Sequence, residues 1–152
     1  MSIPLKDNTA VVQIAIVVRD IEKTASAFAG VFGFPVPSWS YTAGYDQAAT
    51  MNRGVPSDAR AKLAFMHFGP LDIELIEPDN EPSTWREFLD EHGEGIHHLA
   101  FSVKGMAQHT TNLEALGMPL IMKGEFTGGR YAYFDSNPSL KFILELLEHD
   151  KS

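Results

Sequence analysis

Apolar residues recur along the chain with periods of about 2 and about 3.6, and the changes of period predict alternating strands and helices. A β-branched run bounded by polar residues indicates the first strand, and Asp20 and Gly33 are residue types that begin and end a helix. The elements predicted first are a strand over 11–18, a helix over about 21–32, strands over 62–68 and 72–77, and a short helix near 84–92. Thr84 and Glu87 have the spacing of a capping box, which predicts that this helix begins with Thr84. Segment 34–59 is rich in Pro, Gly, Ser and Tyr and predicts one irregular strand.

The same order of elements begins again near residue 95. The predicted elements are a strand over 96–103, a helix over 106–116 and short strands near 118–123, 130–135 and 140–148. Gly117 is expected to end the helix. Each half is therefore a βαβββ module, and the chain is predicted to be an α+β protein with eight strands. We expect one domain over residues 1–152, with modules at about 9–80 and 94–149.

The two halves also match in their residue types. Segment 13–18 (QIAIVV) aligns with 98–103 (HLAFSV), and segment 73–77 (IELIE) aligns with 144–148 (LELLE). The first pair of segments is 85 positions apart and the second is 71, so the first half carries about 14 additional residues. The loose stretch 40–59 is their predicted position. Such a repeat indicates an internal duplication.

Four polar residues occupy matching positions of this duplication. Strand alternation places Gln13 and His98 at equivalent points, on the face opposite to the predicted helices. Glu74 and Glu145 lie within apolar strands without a Lys or Arg on the same strand face, and burying an unpaired carboxylate is costly. One divalent cation would satisfy all four side chains, so we predict a metal site there. Three oxygen donors and one nitrogen suit Zn, Ni, Co, Mn or Fe.

The other histidines are predicted to be surface or structural residues. His97 is expected to face away from the metal site because it neighbours His98 on a strand. The remaining ones, which have no matching partner pattern, are His67, His92, His109 and His149.

Composition narrows the classes of function. The chain has 12 Lys and Arg against 20 Asp and Glu, a net charge of −8, which argues against a general nucleic-acid-binding surface. The absence of cysteine excludes disulfides, thiolate zinc sites and cysteine nucleophiles. The longest apolar run, 14–18, is far shorter than the roughly 20 residues of a membrane span. The N-terminal residues lack the pattern of a signal peptide, so we expect a cytoplasmic protein.

These motifs resemble the vicinal-oxygen-chelate superfamily, which includes glyoxalases, methylmalonyl-CoA epimerases, extradiol dioxygenases and bleomycin- and fosfomycin-resistance proteins. Segments 93–101 (GEGIHHLAF), 73–78 (IELIEP) and 144–148 (LELLE) are similar to the epimerase branch in particular. The resemblance extends over about 11–148 and implies a half-open, cup-shaped sheet and a homodimer. Its metal ligands map onto Gln13, Glu74, His98 and Glu145, a set that resembles some glyoxalase I enzymes.

The resemblance implies a metal-dependent isomerase or epimerase, or a glyoxalase I-like lyase, that stabilises the enolate of a small carbonyl acid or thioester. Glu145 is implied as both ligand and base. Epimerases use a second acid–base group early in the first half, where this chain offers Asp46. A metal-dependent, extradiol-type dioxygenase is the alternative, disfavoured because Gln13 replaces the histidine of such enzymes. A non-catalytic small-molecule binding protein is a further alternative.

The additional segment, 41–60, is predicted to shape the substrate entrance together with Trp39 and loop 126–131. Trp39 and Tyr45 are candidate substrate-binding residues. Arg53 and Arg130 are candidates for binding an anionic group of the substrate, such as a CoA phosphate or a carboxylate.

Overall fold

A computed structural model describes residues 3–150, which form ten strands and five helices. The strands are β1 (Gln13–Val17), β2 (Ser40–Tyr41), β3 (Met51–Asn52), β4 (Val55–Pro56), β5 (Ala61–Phe68), β6 (Leu71–Pro78), β7 (Gly95–Ser102), β8 (Leu120–Phe126), β9 (Gly129–Phe134) and β10 (Ile143–His149). The helices are α1 (Ile21–Phe32), α2 (Tyr45–Ala48), α3 (Thr84–His92), α4 (Met106–Ala115) and α5 (Asn137–Leu140). Within residues 3–150, no helix has the length and apolar character needed to cross a membrane.

All ten strands join one curled, open sheet in the order β2-β5-β6-β1-β7-β10-β9-β8-β3-β4. At its centre, β1 pairs antiparallel with β7, and each of these strands pairs parallel with the last strand of its own half, β6 or β10. The outer pairs, β5 with β6 and β9 with β10, are antiparallel in both halves. The strand pairing on one side of the β1–β7 pair is therefore repeated on the other side, in agreement with the two predicted modules.

The predicted number of eight strands is wrong, because the additional segment of the first half contributes two more. After β2 the chain passes through α2 and forms the hairpin β3–β4, whose first strand pairs antiparallel with β8 at the opposite end of the sheet. Met51 is the partner of Lys123 and Asn52 is the partner of Met122. The segment expected to hold one irregular strand thus connects the two halves.

The two faces of the sheet pack differently. Helices α1 and α4 cover the outer face, where apolar clusters include Ile21 and Leu75 in the first half and Leu113 and Phe134 in the second. We call the opposite face the inner face. Its apolar cluster includes Ala15 and Val17 of β1 and Trp85 and Leu89 of α3.

The cap of α1 agrees with its prediction, whereas the cap of α3 does not. The Asp20 carboxylate accepts a hydrogen bond from the Lys23 backbone N–H at 3.1 Å, and Gly33 ends α1 with φ = 78°, a conformation that favours glycine. In α3 the N-cap is Ser83, whose hydroxyl accepts from the Arg86 backbone N–H at 2.9 Å. The helix begins with Thr84 as predicted, but Thr84 is not its cap, so the predicted capping box is wrong by one position.

Replacing Asp20 by Ala is expected to lower the free energy of unfolding by about 1 kcal/mol, because an N-terminal N–H of α1 loses its acceptor. Urea unfolding followed by circular dichroism measures this loss. Asp20→Asn is the matched control, since its amide oxygen still accepts the bond and most of the stability should remain. Equal losses in both variants would show that the charge, and not the acceptor, stabilises the helix.

Candidate functional site

Three of the four predicted metal ligands meet on the inner face near the centre of the sheet. Nε2 of His98 lies 3.2 Å from Oε1 of Glu145 and 3.6 Å from Oε1 of Glu74. The exposed fractions of the residues are 0% for His98, 3% for Glu145 and 7% for Glu74. The strands place them there: Ala15 of β1 is the register partner of both Glu74 and His98, and its small side chain leaves room between them.

The fourth predicted ligand, Gln13, lies in the adjacent row of the same face. It is half-buried, and its register partner on β7 is Ala100, which is also the partner of Glu145 on β10. The Gln13 side chain forms no hydrogen bond to another residue of the described chain. Its amide is therefore available to a ligand, although no hydrogen bond within residues 3–150 joins it to the other three side chains.

The protonation of the site follows from burial and from the two carboxylates. Burial lowers the pKa of His98, but Glu145 and Glu74 outweigh it and raise this pKa to about 9. Burial raises the pKa of Glu74, an effect that His98 partly offsets. The neighbouring phenols Tyr131 and Tyr133 also have raised pKa values, caused first by burial and then by Glu145, so both are neutral.

Several features of the arrangement bear on its fit to a divalent cation. Donors about 2.0–2.1 Å from a cation lie roughly 2.9 Å apart in an octahedron and roughly 3.4 Å apart in a tetrahedron. The distance of 3.2 Å from His98 to Glu145 lies in this range, and the distance of 3.6 Å from His98 to Glu74 is slightly longer. Nε2 of His98 and Oε1 of Glu145 are buried and form no hydrogen bond of good geometry within residues 3–150. Neutral nitrogen and carboxylate oxygen are suitable donor types. The donor types and the pair of His98 and Glu145 therefore fit a cation, whereas Glu74 lies farther from His98 than either geometry gives.

The fit has a clear limit in geometry. Within residues 3–150, no three His, Asp or Glu side chains stand in a complete metal-holding group. What the structure brings together is two carboxylates that each contact the same imidazole nitrogen. A full coordination shell requires Gln13 or a movement of Glu74.

His97 lies inside the site region, which corrects the prediction that it faces away. The β1–β7 register shifts between Ala15 and Ile16, so β7 carries a bulge at His97 and the regular alternation is interrupted. His97 is buried, and its ring packs edge-on against Phe88 and Tyr133. The sequence signal that was missed is a pair of adjacent histidines in an otherwise apolar strand.

The His97 ring also fixes the tautomer of His98. The two Nδ1 atoms are 2.8 Å apart, and burial, followed by the charge of His98, lowers the pKa of His97 well below its ordinary value. We assign the proton of neutral His97 to Nε2, so its Nδ1 accepts the Nδ1–H of His98. With this assignment, Nε2 is the nitrogen of His98 that faces the carboxylates. By accepting the hydrogen bond from the other ring nitrogen, His97 has the usual role of a residue that orients a ligating histidine.

The two arginines proposed for anion binding are both in ion pairs. Arg53 lies 2.7 Å from Glu87 of α3, and the carboxylate raises the pKa of the guanidinium. Arg130 lies 3.0 Å from Glu148 and also pairs with Asp150. An anionic substrate would have to compete with these carboxylates, and the assignment of either arginine stays a prediction.

The remaining predicted residues form no hydrogen bond or ion pair with the buried trio within residues 3–150. The Trp39 indole N–H donates to Glu22 of α1 at 3.0 Å, and Trp39 packs with the apolar cluster of the outer face. Tyr45 and Asp46 are exposed on α2, and the Asp46 side chain forms no hydrogen bond or ion pair within residues 3–150. Their roles in substrate binding and in catalysis also stay predictions.

The paired modules and the buried His–Glu site define the chain as a two-module α+β protein with a polar centre on the inner face. The family model of the glyoxalase/bleomycin resistance protein/dioxygenase superfamily matches residues 12–134. The chain belongs to this superfamily, which confirms the resemblance noted in the sequence. A curated relative, an uncharacterised protein of Bacillus subtilis, is 25% identical over 103 residues, which are 66% of this chain and 74% of the relative.

Solved structures share the whole fold at low sequence identity. A hypothetical protein of Bacillus halodurans is 22% identical, with a TM-score of 0.65 over 97% of this chain and 98% of that one. The methylmalonyl-CoA epimerase of Mycobacterium tuberculosis is 21% identical, with a TM-score of 0.65 over 93% and 89% of the chains. A variant of the Streptomyces coelicolor epimerase in complex with 2-nitronate-propionyl-CoA is 18% identical, with a TM-score of 0.65 over 95% and 97%. These likenesses show the shared fold.

Proposed function

We propose that the chain is a metal-dependent isomerase or epimerase, or a glyoxalase I-like lyase, that removes a proton next to a carbonyl group and stabilises the resulting enolate. The observation that carries this proposal is the convergence of Glu74 and Glu145 on His98 in a buried position. Membership of the superfamily and the epimerase-like fold support it. The substrate class is a small carbonyl acid or thioester.

Gln13, Glu74, His98 and Glu145 would hold one divalent cation from the group Zn, Ni, Co, Mn and Fe. When bound, such a cation supplies positive charge that stabilises the oxygen of an enolate. Of the chain's own residues, His98 presents Nε2 because His97 occupies its Nδ1. Glu74 adds negative charge that favours cation binding.

Glu145 is the proposed base. Its Oε1 lacks a hydrogen bond of good geometry within the described residues, so its lone pairs are open to a substrate proton. Tyr133 is its register partner on β9, and this buried ring packs in the inner cluster with Trp85, whose indole N–H donates to the Tyr133 hydroxyl. Asp46 stays the sequence-based candidate for the second acid–base group.

Two measurements on the purified wild-type protein test this function. Elemental analysis is expected to find about one equivalent of divalent metal. Acyl-CoAs and hemithioacetals are then incubated with the protein in deuterated water, where at least one is expected to gain deuterium at the α-carbon without oxygen uptake. Oxygen consumption would favour a dioxygenase, and tight ligand binding by metal-free protein without exchange would favour a binding protein. Metal below about a tenth of an equivalent after mild purification would contradict the catalytic proposal.

The implied homodimer is a separate proposal, tested by light scattering.

A further inference from the structure

An exposed aromatic side chain lies directly beside one of the buried carboxylates. Phe65 on β5 is the register partner of Glu74 on β6, and paired residues of an antiparallel ladder have Cβ atoms about 4.5–5.5 Å apart. Phe65 is 46% exposed, and within residues 3–150 its ring stacks on no other aromatic ring. The other phenylalanines of the same half differ, because they pack ring against ring: Phe28, Phe32, Phe34 and Phe68.

Strand alternation places Phe65 on the inner face. Its neighbours along β5, Ala64 and Met66, pack in the outer cluster with α1, whereas Leu63, two positions before it, packs with the inner cluster. The Phe65 ring therefore projects from the same surface as the Glu74 carboxylate, one strand step away. A substrate held beside Glu74 lies within reach of this ring.

The cationic side chains of the sheet are directed away from this surface. The ten strands contain three Lys or Arg residues, which are Lys62, Lys123 and Arg130. Each adjoins, along its strand, a residue that packs with the inner cluster, and these residues are Leu63, Met122 and Tyr131. Strand alternation therefore turns all three cations to the other side. Within residues 3–150, the strands present carboxylates but no Lys or Arg to the inner face.

This distribution of charge selects against a negative group beside Phe65. An anionic substituent there would lose water against an aromatic ring, close to the Glu74 carboxylate and without a cation of the sheet to pair with. An alkyl or aryl substituent would instead cover the exposed part of the ring and remove apolar area from water.

We propose that Phe65 is a specificity-determining residue of this site and that the substrate carries an uncharged, apolar substituent that packs on its ring. The inference rests on the proposed function and narrows its substrate class. The substrate becomes a carbonyl acid or thioester, or a hemithioacetal, whose alkyl or aryl group lies beside Glu74.

The test compares matched substrates in the wild type and in Phe65→Ala. All are made with N-acetylcysteamine, a short thiol that lacks the phosphates of CoA. The thioester pair carries an α-propyl or an α-carboxyethyl group of equal length, and the hemithioacetal pair is made from phenylglyoxal or its para-carboxy derivative. In deuterated water the wild type is expected to exchange the apolar member with a kcat/KM at least about tenfold higher. Phe65→Ala should raise KM for that member about tenfold and keep kcat within about threefold.

Matched variants separate the apolar contact from a general effect on the fold. Phe65→Leu keeps part of the apolar surface and should keep part of the preference, whereas Phe65→Lys should shift it towards the carboxylate-bearing member. Leu140→Ala removes another exposed apolar side chain, 44% exposed on α5 near the outer cluster of the second half, and should leave the preference unchanged.

A binding measurement gives a readout that does not depend on activity. Glu145→Gln protein, in which exchange is expected to be slow, is titrated with both members of each pair in a calorimeter. Adding Phe65→Ala should weaken binding of the apolar member about tenfold and leave the carboxylate-bearing member unchanged.

Three results would overturn the assignment of Phe65. They are equal kcat/KM values for both members in the wild type, an unchanged preference in Phe65→Ala, and a fall in kcat for both members alike, which would indicate a structural role. A wild type that exchanges neither pair would count against the proposed function, and calorimetry would then decide the role of Phe65 alone: equal affinities with and without its ring would refute it.

Discussion

Glu145→Gln is expected to lower α-proton exchange by about 10³-fold, because an amide cannot take the proton that the carboxylate accepts. The change is isosteric at a residue that is 3% exposed, so packing on the inner face should be preserved. It leaves the amide oxygen as a neutral acceptor beside Nε2 of His98, from which Oε1 of Glu145 lies 3.2 Å away. The measurement is deuterium incorporation into the substrate, followed by NMR.

Two controls assign such a loss to the base. Glu125→Gln removes an exposed carboxylate from β8, outside the site, and should exchange at the wild-type rate. Metal content is measured for Glu145→Gln, which is then assayed with saturating divalent cation so that weaker binding cannot account for the loss. Exchange above about a tenth of the wild-type rate under these conditions would refute the assignment of Glu145 as the base.

Chelator-treated protein is expected to lose about 3 kcal/mol of its free energy of unfolding as the pH rises from 6.5 to above 9. His98 has a pKa of about 9 in the folded protein and 6.5 as its model value, so the folded state holds its proton more tightly. This contribution is complete below pH 6.5 and is lost as the pH rises through 9. The raised pKa of Glu74 acts in the same direction from its model value of 4.5 upward.

The contribution of His97 to stability changes with pH in the opposite direction, but it does not affect the range from pH 6.5 to 9. Its pKa is lowered in the folded protein, so its contribution grows as the pH rises and is complete above 6.5. Denaturant unfolding at several pH values measures the profile. His98→Gln should flatten it between pH 6.5 and 9, whereas His92→Gln should not. A wild-type profile that is already flat in this range would contradict the proximity of the two carboxylates to His98.

Most of the site could be predicted from the sequence because it depends on strand parity. Glu74 and Glu145 each sit in an apolar strand, and the duplication places them at equivalent points on either side of the β1–β7 pair. Parity alone then puts both on the face that carries His98. The boundaries of α1 were also predictable, since Asp20 and Gly33 act through bonds within a few residues.

The parts that were missed depend on contacts between distant segments. The bulge that buries His97 arises from the register of β7 against β1, and no local pattern records it. The hairpin β3–β4 exists because Met51 and Asn52 meet β8, about 70 residues further along the chain.

The pairing of β3 in the first half with β8 in the second half affects how the chain folds. The central β1–β7 pair already joins residues about 85 positions apart, and the β3–β8 pair adds a second contact of long sequence separation at the far end of the sheet. Closing such loops costs chain entropy before their contacts form, which places folding in the slow range of milliseconds to seconds. Neither half completes its sheet alone, so the two halves are expected to fold as one kinetic unit.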